Sequence, residues 1–239
     1  MAHIRPFRVS DTEQMAHICR STLPPTLEAS EPAWRIAPYI WTLQFTTLSP
    51  DNCFVLDDGT GTAVGYVIGC PDVYAFAEAY PQYIETVLSR GAGEKDVPVP
   101  KQLTTPEPWF VPGSEVADPK PGQPLGVVNE AALAQLAYSP RWLLLEGSEG
   151  RAELVRRYRA TMHIDLLAPF QGQGWGRRLI EAFVQSVREA VAAGKGDAGE
   201  GIQIGVAGDN DKVVPFYEKV GFKIYGGQKE GSIWMVKDL

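Results

Sequence analysis

Between Gln171 and Arg177 the chain reads Gln-Gly-Gln-Gly-Trp-Gly-Arg, with glycines at 172, 174 and 176. Closely spaced glycines let backbone N–H groups converge without Cβ obstruction, and the free N–H groups of a following helix add a positive dipole end. The chemistry such a turn serves is the holding of an anion, above all a pyrophosphate. Just upstream, His163 and Asp165 stand two residues apart, which on a strand puts both on one face. There an Asp could orient a His or raise its pKa, and an imidazole with a pKa near neutrality suits the receipt of a proton from an amine. A buried, hydrogen-bonded structural pair is the alternative reading of the same two residues.

Spacing separates the phosphate cradles that compete for this turn. A dinucleotide fingerprint of the Gly-x-Gly-x-x-Gly type requires a third glycine at 177, where the chain has Arg177. No acidic residue closes the next strand either, because Ile202-Gln-Ile-Gly-Val206 runs into Ala207 and Gly208. A Walker loop requires Gly-Lys-Ser/Thr, which Trp175-Gly176-Arg177 does not supply.

The elements that must position the turn are legible around it. An apolar, strand-like segment, Met162 to Leu167, leads in. A periodic helix over Arg177 to Ala193 leads out, with Leu179, Ile180, Phe183, Val184, Val187 and Val191 on one face. Further on, Asn210 or Asp211 caps a short helix, Pro215 forces an early start or a bend, Gly221 ends the helix in the left-handed region, and Phe222 opens a strand.

Gln171, Gly174 and Gly176 fit the pattern Gln/Arg-x-x-Gly-x-Gly/Ala, and in this the region resembles the pyrophosphate loop of the GNAT superfamily of acyl-CoA N-acyltransferases. Asn210, followed seven residues later by Tyr217 and then by Glu218, Gly221 and Phe222, is similar to the second motif of that superfamily. The resemblance covers roughly residues 4–70 and 156–239. Within the superfamily, Phe54-Val-Leu56, Gly65-Tyr-Val-Ile-Gly69, the tyrosine before Met162-His-Ile-Asp-Leu-Leu167 and the glycine turn resemble the acetyltransferase-like domain of O-GlcNAcases and its free-standing relatives. Two departures are the proline at 169, shifted by one, and Val213 in place of an alanine.

The resemblance implies an α+β GNAT fold: a central mixed, mostly antiparallel twisted sheet flanked by helices, in a single domain over 1–239. It implies acetyl-CoA as the acyl donor and direct transfer to a primary amine in a ternary complex. The implied cofactor contacts are Leu166, Leu167 and Ala168 on the central strand, Gln171, Gly172, Gln173, Gly174, Trp175, Gly176 and Arg177 in the turn, and Asn210, Phe216 and Tyr217 in the second motif. Carried over in the same way, the Leu167 N–H is the oxyanion donor and Tyr217 the acid that protonates the departing thiolate, beside His163 and Asp165 as base candidates. A catalytically silent CoA-binding or interaction module of the same fold is the alternative function.

The 239 residues carry a formal charge of −7 with a pI near 5.1, which argues against a nucleic-acid partner and suits a cationic acceptor such as an amine. The acceptor is then a small molecule, a protein lysine or an N-terminus. Cys19, Cys53 and Cys70 are widely spaced, an odd number, and indicate neither a disulfide framework nor a metal site. With no membrane-length apolar run and no signal-type core, the expectation is a cytoplasmic protein, or a nucleocytoplasmic one in a eukaryote, with no membrane partner.

Residues 3–9 alternate as a first strand, and Ser10-Asp11 caps a helix in which Met15, Ile18, Cys19 and Leu23 share a face. Residues 32–48 read as one helix whose rings, Trp34, Tyr39, Trp41 and Phe45, pack on the sheet. Residues 53–56 and 63–70 are strands joined by a hairpin at Asp57-Asp-Gly-Thr-Gly61. About 90 residues, roughly 72–158, then intervene before the central strand. They read as a helix over 73–88 interrupted at Pro81, a proline-rich arm over 91–126, and helices over 129–136 and 149–158 about the apolar anchor Trp142 to Leu145. The arm is expected to line the acceptor entrance through Trp109 and Phe110, or to bury them across a homodimer.

Overall fold

The computed structural model describes residues 1–117, 125–226 and 232–239. Strand β1 (His3–Pro6) is followed by helices α1 (Thr12–Ser21), α2 (Pro25–Glu28), α3 (Glu31–Trp41) and α4 (Leu43–Leu48), and then by the hairpin β2 (Phe54–Asp57) and β3 (Ala63–Cys70). The inserted segment contributes α5 (Val73–Tyr83), a π-helical turn (Ile84–Leu88), α6 (Gly91–Asp96), α7 (Glu130–Tyr138), a second π-helical turn (Arg141–Glu146) and α8 (Arg151–Arg157). The chain closes with β4 (Ala160–Leu166), α9 (Trp175–Ala192), β5 (Gly201–Ala207), α10 (Val214–Lys219), β6 (Lys223–Ile224) and β7 (Ser232–Asp238).

Seven strands form one sheet in the order β1-β2-β3-β4-β5-β7-β6, and every pair is antiparallel except β4–β5. This is the mixed, mostly antiparallel α+β sheet expected from the sequence. Every residue of β3 is buried, which is why Ala63 to Cys70 is a nearly continuous apolar run and not an alternating one. Helix α9 covers one face with Leu179, Ile180, Phe183, Val184 and Val187. Val191, assigned to the same stripe, is 41% exposed. The other face is covered by α1, α3, α4 and α5.

Local departures from the sequence reading have visible causes. Strand β1 stops at Pro6, and the Asp11 carboxylate does not cap α1. Both its oxygens take hydrogen bonds from the buried Arg5 guanidinium, at 2.7 and 2.8 Å, and Oδ2 also accepts the Arg8 N–H. The helix expected over 32–48 breaks at Thr42, which leaves the helical region (φ −131°) and places its hydroxyl 3.2 Å from that of Tyr66. Tyr39 and Phe45 pack inward as expected, whereas Trp34 is 47% exposed beneath the Arg20 guanidinium. Neither Asn210 nor Asp211 caps α10, whose N-cap position is Val213 with no side-chain bond. Gly221 does take the left-handed conformation after it, with φ 91°.

The insertion is more helical than a proline-rich arm suggests. The π-helical turn over Ile84–Leu88 carries the chain from α5 into α6, and Val97 is fully buried behind it. Arg35 of α3 ties the segment down, reaching Glu130 at the start of α7 at 2.6 Å and the carbonyl of Asp96. Residues 118–124 of the expected arm lie outside the described residues. Before and after them the chain returns on itself, with Phe110 bridged to Val128.

Candidate active site

Strand β4 is where the sheet opens. On the β3 side it is paired from Thr161↔Cys70 to Leu166↔Gly65, while on the β5 side the pairing covers only Ala160↔Ile202 and Thr161↔Gln203. Strand β5 continues to Ala207 beside β7, so β4 and β5 diverge into a gap whose β4 edge has no strand partner among the described residues. Alternation decides which groups face it. The Leu167 N–H donates to Val64 O at 3.0 Å, so it belongs to the β3 ladder. In an antiparallel ladder the bonding direction reverses at each residue, so Leu166 turns its N–H and C=O toward the gap. The Leu167 N–H, expected from the resemblance to be the oxyanion donor, is thus engaged with β3, and the neighbouring Leu166 N–H is the one that faces the gap.

The glycine turn sits at the mouth of this gap. Gly172 and Gly174 have φ of 72° and 82°, and a Cβ at either would meet nothing within 4 Å, so the backbone faces open space. Gly174 is the N-cap of α9, whose first N–H groups are thereby presented outward. Gln171 donates its amide to Leu166 O at 2.7 Å and Gln173 to Pro169 O at 2.6 Å, so these side chains fold the turn while its backbone is left open. Ala168 lies in the short 3-10 turn between β4 and the glycines. Arg177 pairs along the helix with Glu181 at 2.8 Å, and Trp175 lies 4.9 Å beneath the Arg178 guanidinium.

The second motif meets the first through a close approach. A Cβ on Gly176 would stand 3.0 Å from the Phe216 ring, so a larger residue there would make α10 give way at the start of α9. Tyr217 stacks between Phe216 and Phe222, at ring separations of 5.2 and 5.7 Å. Burial, then the charge of Asp165, push its phenol well above the ordinary tyrosine pKa, so it holds its proton. Asn210 falls at a kink in the 3-10 helix Gly208–Val213 that leads into α10.

His163 and Asp165 are brought together as the strand period requires. His163 Nε2 lies 3.0 Å from Asp165 Oδ2, and the same oxygen accepts the hydroxyl of Tyr66 at 2.5 Å. Tyr66, fully buried on β3, stands in the sequence within an apolar strand and carries no motif position of its own. The available signal was that a buried tyrosine hydroxyl needs a partner. Burial opposes the charged form of His163, but the charge and hydrogen bond of Asp165 outweigh it, and the His163 pKa is raised. The imidazole is 43% exposed.

A cavity of about 970 Å³ opens over this face of the gap. Its floor is Thr161, His163, Gln203, Gly205 and Trp234, alternate residues of β4, β5 and β7. Trp41 and Phe45 form one wall, and the insertion supplies the other through Trp109, Phe110, Leu143 and Arg151. Among the described residues no cluster of potential metal ligands occurs, and no helix is long and apolar enough to cross a membrane.

No family model matches the chain. Among solved structures, SsHAT is 25% identical, covering 99% of this chain and 98% of that chain with a TM-score of 0.73. PH1933 from Pyrococcus horikoshii OT3 is 14% identical over 100% and 99% of the two chains, with a TM-score of 0.55. A GCN5-related N-acetyltransferase from Kribbella flavida is 14% identical over 100% and 98%, with a TM-score of 0.49. The strand order, the divergence of β4 from β5 and the glycine turn at the head of α9 are those of the GNAT fold.

Proposed function

We propose that the chain is an acyl-CoA-dependent N-acyltransferase, with acetyl-CoA as donor and a primary amine as acceptor. The observation that carries this reading is the gap itself: the unpaired edge of β4 at Leu166, an open glycine turn at one end and a cavity floored by His163 at the other. The residues fit a CoA group. Backbone N–H groups of Gly172 to Gly176 would hold the pyrophosphate, and Leu166 would pair with the pantetheine arm and face the acyl carbonyl. When bound, the thioester supplies an acyl group already activated for transfer.

Within that frame the side chains have separable tasks. His163, held by Asp165 and open to the cavity, accepts the proton of the incoming ammonium, directly or through water. Tyr66 pins Asp165 from beneath, so the carboxylate keeps one orientation. Tyr217 retains its proton and donates it to the leaving sulfur. Proximity does the rest, since the acceptor is brought to the gap from the cavity side and the donor from the side of α9.

The test is Gly174→Asp, which adds a side chain at φ 82° and a negative charge in the cradle. Calorimetry should show tight CoA binding by the natural protein and a loss of at least ~100-fold in the variant, with its circular dichroism unchanged. Unaltered CoA affinity in a folded variant would overturn the assignment. A catalytically silent module would bind CoA in the same way and release no free thiol with any amine.

A further inference from the structure

Three polar side chains that line the cavity carry buried polar atoms with no hydrogen-bond partner. Gln203, on the floor, is fully buried, and neither its amide oxygen nor its amide nitrogen has a hydrogen-bond partner. Gln44 Oε1, in the wall from α4, is likewise unsatisfied. Arg151, at the start of α8, has no ion pair or side-chain hydrogen bond to any described residue, and its Nε is out of contact with both solvent and partner. Its guanidinium lies 4.8 Å from the ring of Trp234, itself part of the floor.

Buried polar groups in folded proteins are paired, and an unpaired buried cation is the most costly exception. Burial draws the Arg151 pKa down to about 10, with no anion among the described residues to offset it. By contrast, the buried Arg5 is matched by Asp11 and Asp57. Three unmatched groups lining one cavity therefore mark a place shaped for something that enters it.

Resting on the reading that this cavity admits the acceptor amine, we infer that the acceptor also carries a carboxylate, which Arg151 and Gln203 bind. A guanidinium presents two parallel N–H groups that match one carboxylate, and stacking on Trp234 fixes its plane. Gln203 can add an amide N–H to the same group while its oxygen accepts from an ammonium or hydroxyl. Arg151 is the one Arg or Lys among the described residues lining the cavity, which favours a monoanion over a phosphate dianion. Trp41, Phe45, Phe110 and Leu143 make the remaining walls apolar, so the acceptor is an amino acid with an apolar side chain.

The experiment compares L-leucine and L-phenylalanine with isoamylamine and phenethylamine, the same bodies without the carboxylate, by CoA release from acetyl-CoA and by calorimetry on the CoA complex. The natural protein should prefer the amino acids by at least ~100-fold in kcat/KM, since an acceptor lacking the carboxylate leaves Arg151 unpaired. Arg151→Met should reduce that preference to within ~threefold, with Arg151→Lys intermediate. The ligand-free Met variant should melt at or above the natural protein, because a partly buried cation with no ion pair among the described residues is replaced by an apolar chain. A lower melting temperature, with the preference retained, would show Arg151 to be structural and overturn the inference. So would equal use of the two sets of amines, or preferential binding of 2-aminoethyl phosphate. If CoA binds normally and none of these acceptors binds or reacts, the carboxylate site is refuted while the acyltransferase reading stands. Failure of CoA itself to bind would refute that reading instead.

Discussion

Tyr66 donates its hydroxyl hydrogen to Oδ2 of Asp165 at 2.5 Å, joining residues 99 positions apart on neighbouring strands. The pairing Tyr66↔Asp165 in the β3–β4 ladder makes this contact inevitable once the register is set. It gives the carboxylate a fixed orientation, with His163 on the cavity side of the same oxygen. The phenol is held neutral by burial and by the adjacent charge of Asp165, so the bond has one polarity.

The pH dependence follows from this pair. A base must be neutral to accept a proton, so the acidic limb of kcat/KM should track the raised pKa of His163. Asp165→Asn removes the raising influence and should move that limb to lower pH, while Tyr66→Phe should broaden it by loosening the carboxylate. The same pair contributes stability below the unfolded histidine pKa and loses it as pH rises through the higher folded one. An NMR titration of the His163 ring together with pH–rate profiles would check both, and identical limbs in all three proteins would return the pair to a structural role.

Tyr217→Phe removes only the phenolic proton and leaves the ring between Phe216 and Phe222. CoA affinity should be unchanged, and kcat should fall roughly ten- to a thousand-fold, the usual worth of a general acid. Steady-state kinetics beside calorimetry of CoA binding separates the two; a kcat equal to the natural value would leave Tyr217 as packing alone.

Phe110 belongs to the insertion and lines the cavity far in sequence from β4. Phe110→Ala should raise the acceptor KM by about tenfold, as expected for a lost buried aromatic contact, and leave the KM for acetyl-CoA within about twofold. A change confined to the acetyl-CoA constants would show that the insertion serves the donor side.

Asp57 is the anchor of the first hairpin. It accepts Arg5 Nε at 2.9 Å and the N–H groups of Gly59 and Gly61 at 2.8 and 3.1 Å. The Arg5 hydrogen bond leads in holding its pKa down at about 2, so its stabilisation is present above the unfolded carboxylate pKa and is lost as pH falls through the folded one. Asp57→Asn should cost about 3 kcal/mol at neutral pH, as for a broken buried ion pair, and flatten the acid limb of stability. Urea denaturation at pH 7 and pH 3 would measure both.

What the sequence determined by itself is what local chain chemistry determines. The glycines at 172, 174 and 176 select the turn because positive φ and close approach are properties of single residues. The stripe from Leu179 to Val187 orients α9, and the alternation of His163 with Asp165 puts them on one face, because both periods belong to the chain. Tertiary structure decided everything that depends on which strand lies beside which. The β3–β4 register consumes the Leu167 N–H and frees that of Leu166, and it delivers Tyr66 to Asp165. Likewise Arg151, Gln203 and Trp234 become one cavity only when α8, β5 and β7 are assembled around the gap. A hydrogen bond or an ion pair takes its meaning from its partner, and across such separations the partner is chosen by packing.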